Sequence, residues 1–293
     1  MLNLISNNKL TPTIQGVVFA LISTGLFVFV GVLVRILSEQ IDLFQILLVR
    51  QIVFTAILVP AIWVSFDVLL KPRKVTLHLL RILGAFLALY LGFLTVSNLP
   101  LADATALGFT QVLFVALISK WCLSESVTLS RTLTLLIGFV GVMLVVQPRF
   151  EEASLIYTLA GFGGALGAAI AVVCVRQMSK TESRTVLLTY QAVFVGLIAL
   201  IPSIFAWQWP TLNQWLLLLL VGVISSLAQW IGVSAYKLAE ANVVANVEYA
   251  KIIYSLILGY FFFSELPNVL AVMGVVILIS SALLPLILPL FKK

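Results

Sequence analysis

Charge is what this sequence has least of. Only 10% of its 293 residues are Asp, Glu, Lys or Arg, where a soluble domain carries ~25%. Hydrophobic residues make up 62% and the mean hydropathy is +1.19, so no water-soluble fold could cover the apolar surface and lipid must be the solvent for much of it. Cysteine is nearly absent: Cys122 and Cys174 both fall in or at the end of apolar segments, which excludes a disulfide framework. With one histidine, His78 at a loop edge, a Cys/His metal cluster is excluded as well. No HExxH, GxSxG or G-x-x-x-x-G-K-[ST] occurs, so zincin, serine-hydrolase and ATP-driven chemistry have no anchor. An intramembrane enzyme would need paired groups, and Glu248 has no acidic partner in its own span. No catalytic residue, metal or cofactor is therefore expected. Charge rings and filter loops of the channel type are missing too. Lys and Arg outnumber Asp and Glu by 17 to 11, yet no basic-aromatic stripe reads as a nucleic-acid surface. The start, Met1 to Thr13, lacks the charged n-region and small-residue cleavage site of a signal peptide.

What is present is a ladder of apolar runs, each near the ~20 residues a bilayer span needs. The first five are Ile14–Val34, Leu43–Val64, Leu79–Val96, Leu101–Cys122 and Thr128–Val146. The second five are Leu155–Val175, Val186–Trp207, Trp215–Tyr236, Ala241–Phe263 and Val269–Leu290. Breakers such as Pro100, Pro148, Pro210 and Pro267 punctuate the turns. With the N-terminus in the cytoplasm, thirteen of the seventeen Lys and Arg residues lie on the cytoplasmic side, Arg35 and Arg149 lie at the opposite ends, and Arg50 and Lys251 lie within spans. That asymmetry puts both termini inside and requires an even number of spans.

The strongest signal is self-similarity. Shifted by 140 residues, Leu47–Phe54 falls on Leu187–Phe194 with five of eight positions identical, and the same shift lays Ser124-Glu125 on Ser264-Glu265 and Tyr90 and Gly92 on Trp230 and Gly232. Near-identical offsets match Val32–Arg35 with Val173–Arg176, and Leu99, Ala102 and Ala106 with Leu238, Ala241 and Ala245. The two copies divide at residues 1–148 and 149–293. Each holds five spans, an odd number, so the second copy enters the membrane upside down. Inverted repeats are a device of secondary carriers, with the solute bound near mid-bilayer between the halves.

These residues resemble the drug/metabolite transporter superfamily, in its EamA-like family, over nearly the whole length. The resemblance rests on Arg50 of the second span, on the alanine-rich starts Ala102-Asp103…Ala106 and Ala241-Asn242…Ala245, and on the acids Glu125 and Glu265 that close those spans. The family commonly has glycine before that acid, where this chain has Ser124 and Ser264. The resemblance implies an all-α multi-pass protein of the bacterial inner membrane that moves a small organic metabolite. Members that look like this one move amino acids, nucleotide-like metabolites, riboflavin or S-adenosylmethionine.

A charge inside a span is a functional candidate by default. Lys251 lies ten residues into the ninth span, about 15 Å deep at 1.5 Å per residue, and its repeat mate Gln111 lies ten residues into the fourth from the other face. The two are expected to meet at the solute, unless Lys251 instead pairs with Glu248 one turn away. Glu248 is the candidate for a coupled proton. Arg50 offers a fork for carboxylate or phosphate, or pairs with Asp42 or Glu39. Gln51 and Gln191, a mated pair, read as interhelical glue. Tyr90, Trp230, Tyr190 and Tyr254 can stack on a flat or cationic solute, or simply pack. Gly163-x-x-x-Gly167 permits internal packing, a sliding surface or a homodimer seam. Two cations against one acid favour an anionic or zwitterionic solute; the alternative is a cationic or neutral aromatic one such as S-adenosylmethionine, riboflavin or a drug.

Overall fold

The computed structural model describes residues 12–69, 72–122, 129–147, 152–178, 181–238, 247 and 250–287. Each apolar run that falls among them is helical. In chain order the helices are α1 (Pro12–Ser38), α2 (Leu43–Val64), the single turn α3 (Phe66–Leu69), α4 (Val75–Asn98), α5 (Leu101–Cys122), α6 (Leu129–Val146), α7 (Glu152–Met178), α8 (Arg184–Phe205), α9 (Leu212–Leu238), α10 (Ala250–Phe263) and α11 (Val269–Ile287). In lipid a helix satisfies its peptide groups internally, which no isolated strand can do. Among the described residues, seven helices are long and apolar enough to cross a membrane, and α10, α11 and the second part of α6 are shorter apolar helices.

Local chemistry sets several helix ends. Asp42 accepts from the Phe44 N–H to start α2, and Ser183 accepts from the Val186 N–H to start α8. Pro60 and Pro202 stand in the last turns of the same two helices. The end of α10 puts Ser264 in a conformation that favours glycine. Ser264 takes φ 55°, the left-handed conformation that lets the Glu265 N–H reach back to the Gly259 carbonyl and the Ser264 N–H to Tyr260.

Packing follows a reciprocal scheme. Extensive contacts join α4 to α7, α1 to α9, α6 to α11 and α2 to α8, and α5 meets α7 as α1 meets α10. Exchanging the first five long helices for the second five turns each of these pairings into another of the set, or into itself. The directions can be read from contacts. Gln45 meets Gln208 while Gln51 meets Gly196, so α2 and its mate α8 run antiparallel. Gly141 meets Gly274 while Gly138 meets Ser281, so α6 and its mate α11 do too.

Small residues permit these crossings, because helices in lipid associate by close packing rather than by escape from water. A Cβ added at Gly84 would lie 2.7 Å from the Gly167 carbonyl oxygen, and one at Gly167 would lie 2.7 Å from that of Gly84. Gly161 is pressed on Leu107, and Gly163 and Gly164 on Leu91. The glycine face of α7 is therefore filled by α4 and α5 of the same chain.

Candidate functional site

A cleft of about 190 Å³ opens between α4, α5 and α7. Ala88, Gly92 and Thr95 line it from α4, Ala104, Gly108 and Gln111 from α5, and Gly161, Gly164, Ala165 and Ala168 from α7. Nearly every wall residue is small, so the space exists because side chains are short. Added Cβ atoms at Gly92 and Gly108 would meet nothing within 4 Å. Thr95 spends its hydroxyl on the Leu91 carbonyl. Gln111 alone brings a full amide to this wall.

Gln111 and Lys251 come from helices that touch. Leu101 at the start of α5 packs on Gly259 near the end of α10, and the Leu101 N–H donates to Glu265 Oε2 at 2.8 Å. Counting from that contact, Gln111 lies about 15 Å along α5 and Lys251 about 12 Å back along α10, at 1.5 Å per residue. Ile252, beside Lys251, shares a core cluster with Ala106 and Leu107. Lys251 itself is half-buried. Glu248 lies outside the described residues, as do Tyr249, Ser124, Glu125 and the alanine-rich start at 241–245.

Arg50 is 3% exposed, deep in α2. Its Nη1 donates to Gln51 Oε1 at 2.8 Å, and among the described residues no carboxylate forms an ion pair with it. Asp42, one of its anticipated partners, is instead the cap of α2. Gln51 is buried with its Nε2 lacking a partner. Of the aromatic candidates, Tyr90 stacks on Phe44 with centroids 4.2 Å apart and lies parallel to Phe86 at 5.8 Å. Tyr254 packs on Gly25 of α1. The Tyr190 hydroxyl donates to the Leu69 carbonyl at 2.7 Å. Trp230 is 59% exposed on α9.

Two polar clusters escaped the sequence reading. At the end of the bundle where α2 finishes and α4 begins, His78 and Arg81 of α4 are both buried. Arg81 donates to the Leu187 carbonyl and, at 2.9 Å, to Gln191 Oε1. Glu182, in the α7–α8 connection, accepts the Arg73 N–H at 2.8 Å and stands 3.6 Å from His78. At the opposite end, Arg35 pairs with Glu265 and lies 4.1 Å over the Phe263 ring. There Gln45 also exchanges two hydrogen bonds with Gln208, and Gln147 two with Asn268. Arg35 and Glu265 each stand in a repeat match, but one-dimensional pattern gives no sign that residues 230 apart in sequence would meet.

Comparison with known proteins gives the family and the fold. The EamA-like transporter family matches residues 14–147 and again residues 155–287. The chain is 29% identical over 277 residues to the pseudopaline exporter CntI of Pseudomonas aeruginosa, covering 92% of this chain and 95% of that one. It is 25% identical over 255 residues to the S-adenosylmethionine uptake transporter of Rickettsia bellii, covering 86% of each, and 28% identical over 214 residues to the riboflavin transporter of Vibrio cholerae, covering 72% of each. One solved crystal structure superposes with a TM-score of 0.69 at 17% identity, covering 94% of this chain and 96% of that one, a likeness of fold.

Proposed function

This chain belongs to the EamA-like transporter family, and from that membership we propose that it carries an anionic or zwitterionic organic metabolite by alternating access. As a multi-pass bacterial membrane transporter it is not an enzyme. We read its ten spans as two inverted halves, residues 1–148 and 149–293, with both termini cytoplasmic. The antiparallel course of the mated pairs α2/α8 and α6/α11 supports that reading, because halves inserted the same way up would run their mates in parallel. It also makes the end holding Arg35 and Glu265 the outer one.

Arg50 is the observation that carries the solute class. A cation buried in a span without an acid is expensive, and a solute carboxylate or phosphate would supply the missing partner. Lys251 and Gln111 would complete the site at mid-depth, with Glu248 as a coupling candidate. A second reading has its own support in the stack of Phe44, Phe86 and Tyr90, which suits a flat neutral or cationic ring of the kind that the riboflavin and S-adenosylmethionine relatives move. Counterflow in proteoliposomes decides between them. Exchange of carboxylate or phosphate metabolites, lost in Arg50→Met, is the expected result; exchange confined to cations defeats the first reading.

A further inference from the structure

Resting on the carrier reading above, we propose that His78 and Glu182 form a proton-sensitive latch that closes the cytoplasmic end when the imidazole takes up a proton. The groups belong to different halves, His78 to α4 and Glu182 to the α7–α8 connection. Their side chains are 2% and 3% exposed, and His78 Nε2 stands 3.6 Å from Glu182 Oε1. Among the described residues neither ring nitrogen has a hydrogen-bond partner, which is costly for a buried group unless a charge state or a movement uses it. The same oxygen, Oε1, already accepts the Arg73 N–H at 2.8 Å, so the carboxylate is held in place without the histidine. A neutral ring gains little from it at this distance. When a cytoplasmic proton binds Nε2, the ring becomes an imidazolium and the gap closes to a charge-assisted hydrogen bond across the halves. When the proton leaves, that bond goes with it.

Among the described residues Glu182 is the acid beside the ring, and the Arg81 cation works against it. Arg81 on α4 is tied to Leu187 and Gln191 of α8, with Cys174 of α7 beside it. The Tyr190 ring of α8 covers the imidazole at 4.6 Å while its hydroxyl is spent on Leu69. The other half of the repeat has no such device. Moving by 140 residues, His78 falls on Leu218, Arg81 on Val221 and Glu182 on Asp42, so the outer end keeps the acid and has lost the base.

Because the chain has one histidine, full-length protein without a histidine tag, labelled with 13C,15N-histidine in nanodiscs, reports this site alone. A single titrating signal is expected, and Glu182→Gln should move its midpoint to lower pH by about one unit or more. Spin labels at Asp67→Cys and Thr181→Cys, in a background carrying Cys122→Ser and Cys174→Ala, read the gap across the latch. The spacing should be shorter near pH 5.5 than near pH 8, and the difference should vanish in His78→Gln. A signal indifferent to Glu182→Gln, or a spacing that ignores pH or still follows it without His78, overturns the proposal. Neither measurement uses a solute. A protein that responds to pH but exchanges no metabolite would therefore sink the carrier reading and leave the proton site standing.

Discussion

Removing Arg50 together with its glutamine should make the protein more stable while abolishing transport. Taking a guanidinium out of water costs several kcal/mol even after relaxation. Among the described residues the structure returns one hydrogen bond, to Gln51 Oε1, worth about 1.5–3 kcal/mol from a charged donor. Arg50→Met alone strands that oxygen, which takes back about 1–3 kcal/mol, so the single variant should lie near neutral. Arg50→Met/Gln51→Leu removes the cation, the oxygen and the already unpartnered Nε2 at once, and should be about 1–3 kcal/mol more stable than the parent. Its affinity for an anionic solute should fall by roughly 100-fold, about 2.8 kcal/mol. Thermal unfolding in detergent measures the first quantity and solute-dependent thermal shift or counterflow the second. A double variant that loses about 3 kcal/mol or more and still exchanges the solute normally would show that Arg50 is structural and that the solute site lies elsewhere.

Other consequences test the frame around the site. Ser264→Gly should stabilise by about 1 kcal/mol in thermal unfolding, because φ 55° burdens a residue with a Cβ and not glycine. Glu265→Gln keeps the shape but loses the Arg35 ion pair and weakens the capping of the Leu101 N–H; a loss of about 1–2 kcal/mol is expected, since these charge-assisted bonds are only one-fifth exposed. Gly84→Ala sets a methyl against backbone oxygen and should cost about 1–3 kcal/mol, whereas Gly92→Ala, with open space around it, should leave the melting temperature unchanged.

The spans could be read from apolar runs because lipid imposes one rule on every backbone. Leu43–Val64 and Leu101–Cys122 are helical over the expected residues, and other helices, such as Pro12–Ser38 for the expected Ile14–Val34, extend by a turn at their polar ends. Hydropathy ends where charge begins, but a helix continues into the interface. Gln111, expected to meet Lys251 at the solute, lies on the wall of the cleft, and Lys251 is not among the residues that line it. Residue counting did not reveal the two inter-half clusters. In the sequence Arg81 is one of thirteen cytoplasmic-side cations near the start of the third run and His78 stands at a loop edge, because charge counting knows distance along the chain and not which connection folds over it. Glu182, two residues before α8, is drawn inward by the Arg73 N–H, a contact between segments 109 apart in sequence. Ser264 shows the reverse limit: the sequence lacks a glycine there, yet the backbone adopts the left-handed turn, beside an acid that meets Arg35 and the Leu101 N–H.

A carrier with perfectly equivalent halves would place equal free energy on its inward-open and outward-open forms, so directionality must come from positions where the repeat is broken. Arg50 against Tyr190, Gln111 against Lys251 and His78 against Leu218 are such breaks. The last is the one that pH can act upon, and it can be restored. Leu218 is fully buried on α9, in the core cluster that holds Ile41 and against which Leu43 packs, the two neighbours of Asp42. Leu218→His would return the missing base to the outer end, where Asp42 already holds the Phe44 N–H as Glu182 holds that of Arg73. At low pH the new imidazolium should then tie the outer ends together, and spin labels at Glu39→Cys and Asn213→Cys should draw nearer near pH 5.5 than near pH 8. With both ends latched by protons, the pH dependence of the equilibrium between the two forms should shrink, because protonation would stabilise each closure alike. If the outer spacing stays indifferent to pH while the inner one responds, the acid–base pair is not sufficient for the latch, and the bias between the faces must reside in Arg50 or Lys251 instead.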